Sequence, residues 1–132
     1  LPGNTMKDLL LITTLCLFST SAFCQQNPAA AGEMKTYYLV FLKKGTNRSQ
    51  DSTTAAAIQE GHMAHLNKMA ASGKMDVAGP LMEDGDIRGI CVYNTANLEE
   101  AKKLAEEDPA VKSGRLMVEI HPWYSMKGAC LK

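Results

Sequence analysis

Two side chains of this sequence, one imidazole and one carboxylate, are suited to proton transfer. His62 shares helical spacing with an apolar stripe made of Ile58, Leu66 and Met69, so its ring should face the protein interior. Asp108 stands directly before a proline. A carboxylate that accepts a hydrogen bond from one ring nitrogen fixes the tautomer and leaves the other nitrogen as general base or acid. His62 and Asp108 could form such a pair if the fold brings them together, which their spacing in the sequence does not show.

The same two residues also have a purely structural explanation. His62 could be a semi-buried histidine whose hydrogen bonds are satisfied within the fold. Asp108 could cap the short turn that begins at Pro109, as aspartate before proline often does. Both explanations stay open at the level of the sequence.

Nucleophilic catalysis has weaker support. Ser52, Ser72 and Ser113 lie in no nucleophile-elbow context, and Cys91 falls in a predicted strand. Proton-transfer chemistry remains, which means elimination, isomerisation or lyase action on a small molecule.

The three histidines form at most a weak metal motif. His62 and His65 are three residues apart on a predicted helix, and His121 could approach from the last strand, but the acid and third-ligand spacing of zinc helices are missing. We therefore predict no metal and no cofactor. We expect His65 near solvent, on the shoulder of the helix.

Hydrophobic patterns place these residues on a succession of strands and helices. The first strand, Lys35 to Leu42, is rich in aromatic and β-branched residues and is apolar on both alternations. A helix follows from Ser52 or Thr53, with a hydroxyl residue as its cap, to Ala71. A short strand from Lys74 to Ala78 then ends at a Gly79-Pro80 turn.

The second half of the chain supplies two more strands and a helix. An Asp-Gly turn joins the second strand to the third, Ile87 to Asn94. Asn97 and Glu100 match a capping box, with Glu100 reaching back to the Asn97 amide, and the helix ends at Asp108-Pro109. The last strand is Arg115 to Ile120. This order predicts an α+β, ferredoxin-like βαββαβ sandwich, a four-stranded antiparallel sheet with two helices on one face.

The other face of such a sheet needs a cover. Because the first strand is apolar on both alternations, the simplest cover in so short a chain is a second copy. The sequence thus predicts a homodimer whose sheets pack face to face. Tyr37, Tyr38 and Trp123 are either flat walls for a small ligand or parts of the core and of this interface.

The N-terminal residues have the pattern of an export signal. Residues 1–5 precede a methionine, and the apolar run Leu9 to Phe18 followed by small residues predicts a signal peptide cleaved after Cys24. Acylation of Cys24 is less favoured because Phe23 precedes it. The expected organisation is upstream residues plus signal peptide at 1–24, a flexible leader at 25–34, the domain at 35–124 and a tail at 125–132.

Charge and cysteine content narrow the partners and the compartment. The 14 basic and 14 acidic residues are mixed along the 132-residue chain without a basic run, so nucleic acid is not an expected partner. Once the signal peptide is removed, a membrane is not an expected partner either. Cys91 and Cys130 could pair in a disulfide, as an oxidising compartment permits. Alternatively, Cys91 is a buried thiol and Cys130 an exposed thiol near the C-terminus.

Seven short segments, taken in their order and spacing, carry a family resemblance. They are Tyr37–Leu42, His62–Leu66, Ala78–Leu81, Asp86–Gly89, Leu98–Ala101, Asp108-Pro109 and His121–Trp123. Over about Lys35 to Tyr124 the chain resembles the YCII-related (YciI-like) family of the dimeric α/β-barrel group. The resemblance implies a ferredoxin-like protomer, dimerisation, and a site built on a histidine of the first helix and an aspartate before a proline. Those positions fall on His62 and Asp108, so the resemblance implies that these two residues are the catalytic pair.

The functional interpretation combines the residues with this resemblance. We expect an exported, dimeric YCII-like protein with an acid-base pocket for an unidentified small molecule. The candidate substrate-binding residues are Tyr37, Gly79, Pro80, His121 and Trp123. The alternative is a non-catalytic module that binds a small ligand or another protein in the same cleft. Many relatives are cytoplasmic, so the predicted signal peptide is a difference from them. We therefore do not infer a cytoplasmic substrate for this protein from the resemblance.

Overall fold

The computed structural model describes residues 32–129 and residue 131. The predicted signal peptide, most of the leader and Cys130 lie outside the described residues. Export, lipid attachment and a disulfide between Cys91 and Cys130 therefore stay predictions. No helix within the described ranges is long and apolar enough to cross a membrane.

Strands and helices follow the predicted order in the described part of the chain, with one short extra helix. Their bounds are β1 Met34–Lys44, α1 Ser52–Ala71, β2 Met75–Pro80, β3 Ile87–Tyr93, α2 Leu98–Glu106, α3 Pro109–Lys112 and β4 Leu116–Met126. The extra helix, α3, is the single turn that the sequence places between the second helix and the last strand.

The four strands form one antiparallel sheet in the order β2-β3-β1-β4. The two central strands, β1 and β3, are therefore the first and third along the chain, and β2 and β4 are the edges. Helices α1 and α2 pack on the same face of this sheet. The predicted ferredoxin-like α+β sandwich is confirmed.

Alternate residues of β1 point to opposite faces of the sheet, and both sets are apolar. Tyr38, Val40 and Leu42 face the helices and are buried in the core, where Val40 has no exposed surface. Tyr37, Leu39 and Phe41 occupy the other face, which we call the open sheet face. The helices complete the core mainly with Met69, Ala101 and Ala105.

Two helix caps differ in detail from the prediction. The α1 N-cap is Asp51 instead of a hydroxyl residue, and its carboxylate accepts a hydrogen bond from the Thr54 amide at 2.8 Å. Aspartate caps as well as serine does, so the helix start hardly moves. At α2, Asn97 accepts from the Glu100 amide as predicted, but the Glu100 carboxylate reaches the Ala96 amide and not that of Asn97.

Three strands are longer than expected, and β1 gains one residue at its start and two at its end. Gly79 and Pro80 belong to β2 and do not form the turn that the sequence predicts, and Pro80 pairs with Gly89. Proline is tolerated there because β2 is an edge strand. Strand β4 continues through residues 121–126, because its register with β1 extends to Met34 paired with Met126.

Candidate active site

His62 and Asp108 are in direct contact. The Asp108 Oδ2 atom lies 2.6 Å from the His62 Nδ1 atom, and both residues are buried, with 2% of the aspartate exposed. A carboxylate only accepts hydrogen bonds, so the proton of the neutral ring is on Nδ1. The geometry confirms the predicted contact between the two side chains.

Asp108 also performs the structural role that the sequence left as an alternative. It is the N-cap of α3, and its Oδ1 atom accepts a hydrogen bond from the Ala110 amide at 2.8 Å. Pro109 follows at the first helical position, where the missing N–H group costs no hydrogen bond. Asp108 therefore makes both contacts, one with each carboxylate oxygen, and its catalytic role stays a prediction.

A close contact between α1 and α3 brings the pair together. Gly61, next to His62, faces Pro109, next to Asp108. A methyl group on Gly61 would lie 3.1 Å from the Pro109 Cγ atom, which is closer than ordinary van der Waals contact. The absence of a side chain at residue 61 thus lets the two backbones approach to the distance that the hydrogen bond needs.

The His62 ring faces a cavity of about 540 Å³ between α1 and the β2–β3 half of the sheet. Its Nε2 atom has no hydrogen-bond partner among residues 32–129 and 131, and it is not one of the buried unpaired atoms. The nitrogen without the proton is therefore the one available to a molecule in the cavity. A ring in this state can accept a proton there.

Apolar side chains form most of the remaining cavity wall. Ile58, Leu66 and Ala70 come from α1, while Leu42 and Met75 come from the strands. The apolar stripe that the sequence predicts on α1 is thus partly the wall of the cavity and only partly core. This explains why Ile58 and Leu66 are half-buried while Met69 is buried.

Cys91 lies at the floor of the cavity but is not a nucleophile. Only 1% of its surface is exposed. Burial, and to a lesser extent the charge of Asp108, raises the pKa of the thiol to about 12. The thiolate needed for covalent catalysis is therefore absent at neutral pH, as the sequence reading anticipated.

The predicted substrate-binding residues divide between the two faces of the sheet. Gly79 and Pro80 line the cavity together with His62. Tyr37, His121 and Trp123 lie on the open sheet face, where Tyr37 packs against Trp123 with ring centroids 6.2 Å apart. The structure does not bring these three residues to the cavity of the same chain.

The three histidines do not converge. The exposed His121 ring pairs with Glu119 at 2.9 Å on the open sheet face, and that hydrogen bond lowers the pKa of the Glu119 carboxyl. No group of three or more histidine, cysteine or acidic side chains in the described part of the chain has the arrangement of a metal site. The expectation for His65 is wrong, since only 9% of it is exposed.

The short helix α3 adds a contact to α1 that the helical spacing of the sequence does not include. It packs against α1 and so covers a second side of that helix. The His65 Nε2 atom is buried without a hydrogen-bond partner in the described residues. A spacing pattern in α1 alone shows one buried face and cannot reveal this second contact.

Charged residues missing from the sequence-based site also line the cavity. They are Arg48, Arg88 and Arg115, which stand in the loop before α1, in β3 and directly before β4. No local motif links these three positions. The one signal in the sequence is the length of the polar loop after β1, because long loops often border binding sites.

Comparison with known proteins places the chain in a family. The model of the YCII-related domain matches residues 36–124. A search of curated proteins gave no match. Among solved structures the chain is similar to 5-chloro-2-hydroxyhydroquinone dehydrochlorinase from Burkholderia phenoliruptrix AC1100, in complex with 2,5-dihydroxybenzoquinone. That similarity has a TM-score of 0.50 and 22% identity, and it covers 66% of this chain and 92% of the other. The family match spans more than half of the sequence, and the chain belongs to the YCII-related domain family.

Proposed function

We propose that this protein is an acid-base enzyme that acts on a small molecule in the cavity beside His62. One observation carries the proposal: a buried carboxylate holds, at 2.6 Å, the ring of a histidine that lines a cavity. Such a pair supplies a base of fixed tautomer and orientation.

The chemistry follows from the two ring nitrogens. His62 Nε2 takes a proton from a carbon or hydroxyl group of the substrate, and the electron pair of the broken bond stays on the substrate. Asp108 stabilises the imidazolium that forms. The electron pair then expels a leaving group in an elimination, or the imidazolium returns the proton to another atom in an isomerisation.

Elimination has additional support from the structural comparison. The similar protein from Burkholderia phenoliruptrix AC1100 is named a dehydrochlorinase, which describes loss of hydrogen and chloride from one molecule. Elimination needs a base but no covalent nucleophile. The Cys91 thiol lines the cavity but stays protonated, so it does not compete with that base.

We also propose that the working protein is a homodimer and that it is exported. The open sheet face supports the dimer, because the half-buried residues Leu39, Phe41 and Ile90 form an apolar surface that the helices do not cover. Tyr37, His121 and Trp123 lie at that face and would belong to the interface. Export rests on the sequence pattern before Gln25.

A non-catalytic binding module is the second candidate function. The apolar wall and the volume of the cavity support it equally well, since neither requires a proton transfer. The hydrogen-bonded pair favours the enzyme, because a ligand-binding site has no need of a fixed tautomer.

A proton-exchange assay separates the two candidates without knowledge of the substrate. Purified protein is incubated in D₂O with a panel of cyclic ketones, hydroquinones and oxo acids, and ¹H NMR follows deuterium incorporation and leaving-group release. We expect turnover of at least one compound by the wild type and by Asp86→Asn, a control at an exposed carboxylate. His62→Gln and Asp108→Asn should both reduce the rate by at least about a hundredfold, as expected for loss of general-base catalysis. A compound that binds, is released unchanged and exchanges no proton would support the binding module and contradict the enzyme.

A further inference from the structure

Arginines line one end of the cavity. Arg48, Arg88 and Arg115 converge where β1 ends and where β3 and β4 begin, which is also the end of the sheet nearest the start of α1. Asp76 is the one carboxylate among the described residues that lines the cavity, and it lies at the start of β2 and accepts from the Asn94 side chain at 3.2 Å. Positive charge is therefore concentrated at one end.

Two of the three guanidinium groups lack a carboxylate partner among residues 32–129 and 131. Arg88 pairs with Asp84 at 3.0 Å. Arg48 instead donates to the Arg115 backbone oxygen at 2.9 Å, and Arg115 donates to the Gln50 side-chain oxygen at 2.9 Å. Each of these bonds uses one nitrogen of a group that has five N–H donors. Among residues 32–129 and 131, most donors of both guanidinium groups have no hydrogen-bond partner, and neither positive charge is paired with a carboxylate.

The backbone beneath these two arginines is held firmly. The Gly45 amide donates to the Arg115 oxygen at 2.9 Å, and the Asn47 amide donates to the Gly114 oxygen at 3.0 Å. A side chain on Gly45 could not be accommodated, because its Cβ atom would lie 2.0 Å from the Gly114 oxygen. These contacts fix the distance between the loop before α1 and the loop before β4. They therefore also fix the backbone positions of Arg48 and Arg115.

We propose that Arg48 and Arg115 bind the oxyanion of a small organic acid and present its apolar body to His62. This inference rests on the proposed function, because it names the substrate class of the same cavity. The planar guanidinium fork matches a carboxylate or another delocalised oxyanion in two parallel hydrogen bonds. The substrate is anchored by its charge at the arginine end and packs along Ile58, one helical turn before His62, towards the proton-accepting nitrogen.

A binding experiment with two probes of the same shape tests this inference. Benzoate and benzamide differ in charge but hardly in size, and NMR titration of the protein measures both dissociation constants. We expect benzoate to bind the wild type at least about tenfold more tightly than benzamide, since one charge-assisted bond contributes that much. Arg48→Gln and Arg115→Gln should each lower the preference, and the double variant should abolish it.

Lys112→Gln is the matched control, because it removes an exposed positive charge next to the same loop but outside the cavity. Its preference for benzoate should equal that of the wild type. Thermal unfolding shows whether Arg115→Gln remains folded; Arg48 is exposed, so Arg48→Gln tests the inference even if the other variant does not fold.

Three results would overturn the inference: no measurable benzoate binding, equal affinity for the two probes, or a preference that survives both substitutions. The titration involves no turnover. An inactive protein can therefore still prefer benzoate, and an active one can fail to do so, which keeps this test separate from that of the proposed function.

Discussion

Replacing Asp108 by asparagine should reverse the tautomer of His62 while leaving the fold largely intact. The Ala110 amide needs an acceptor at 2.8 Å, so the asparagine side chain must turn its oxygen towards that amide. Its NH₂ group then faces His62 Nδ1, which can no longer donate. The ring proton moves to Nε2, and the nitrogen that faces the cavity loses its ability to accept a proton.

The stability cost should differ clearly between two substitutions. Asp108→Asn keeps the cap, because asparagine caps as well as aspartate, and replaces a hydrogen bond to a charged group by a neutral one, at a cost of about 1 kcal/mol. Asp108→Ala loses the cap, worth about 1 kcal/mol, and leaves the buried Nδ1–H group of His62 unpaired, which adds about 1–3 kcal/mol. Their difference in the free energy of unfolding should therefore be about 1–3 kcal/mol.

Two measurements check this reasoning. Urea denaturation gives the free energies of unfolding, and ¹⁵N NMR of the imidazole nitrogens of His62, at a pH where the ring is neutral, reports which nitrogen carries the proton. The wild type should show the proton on Nδ1 and Asp108→Asn should show it on Nε2. A variant that keeps the Nδ1 proton, or one as unstable as Asp108→Ala, would refute the assignment of the two carboxylate oxygens.

Two further predictions concern the core and the open sheet face. The pKa of Cys91 is raised to about 12 in the folded protein against an ordinary value of 9.0, so the folded state holds its proton more tightly and its stability falls as pH rises from about 9 towards 12. Cys91→Ala should lose less stability between pH 8.5 and 10.5 than the wild type, by about 2 kcal/mol in urea titrations, and equal losses would contradict the pKa shift. Leu39→Lys should convert the proposed dimer to a monomer in sedimentation velocity, whereas Leu98→Lys, on the exposed start of α2, should not. A monomeric wild type would show the interface to be wrong.

The architecture was predictable because local signals agreed with one another. The two apolar alternations of β1 indicated a central strand, and Asn97 marked the start of α2. The capping and boundary differences arose because neighbouring residues of similar chemistry compete for one role. Asp51 lies beside Ser52, and Pro80 reads as a turn residue unless it is known to lie in an edge strand.

The site was predictable only where a family pattern bridged distant segments. Spacing alone could not bring Asp108 to His62, and the resemblance supplied that pairing. The face on which Trp123 lies depends on the register of β4 against β1, which a single sequence does not reveal. Arg48 and Arg115 could not be predicted as site residues for a similar reason. The two loops that carry them are far apart in the chain and meet through backbone hydrogen bonds.

The position of His62 near the middle of a 20-residue helix has a consequence for how any molecule is received. His62 lies within α1 and Asp108 caps α3, so neither side chain belongs to a loop that must close around a bound molecule. Their mutual orientation was settled when the chain folded, and the entropy of aligning them was lost at that step. An incoming molecule therefore meets a preorganised pair, and selectivity depends on how well that molecule fits a fixed geometry and not on its power to remodel the protein.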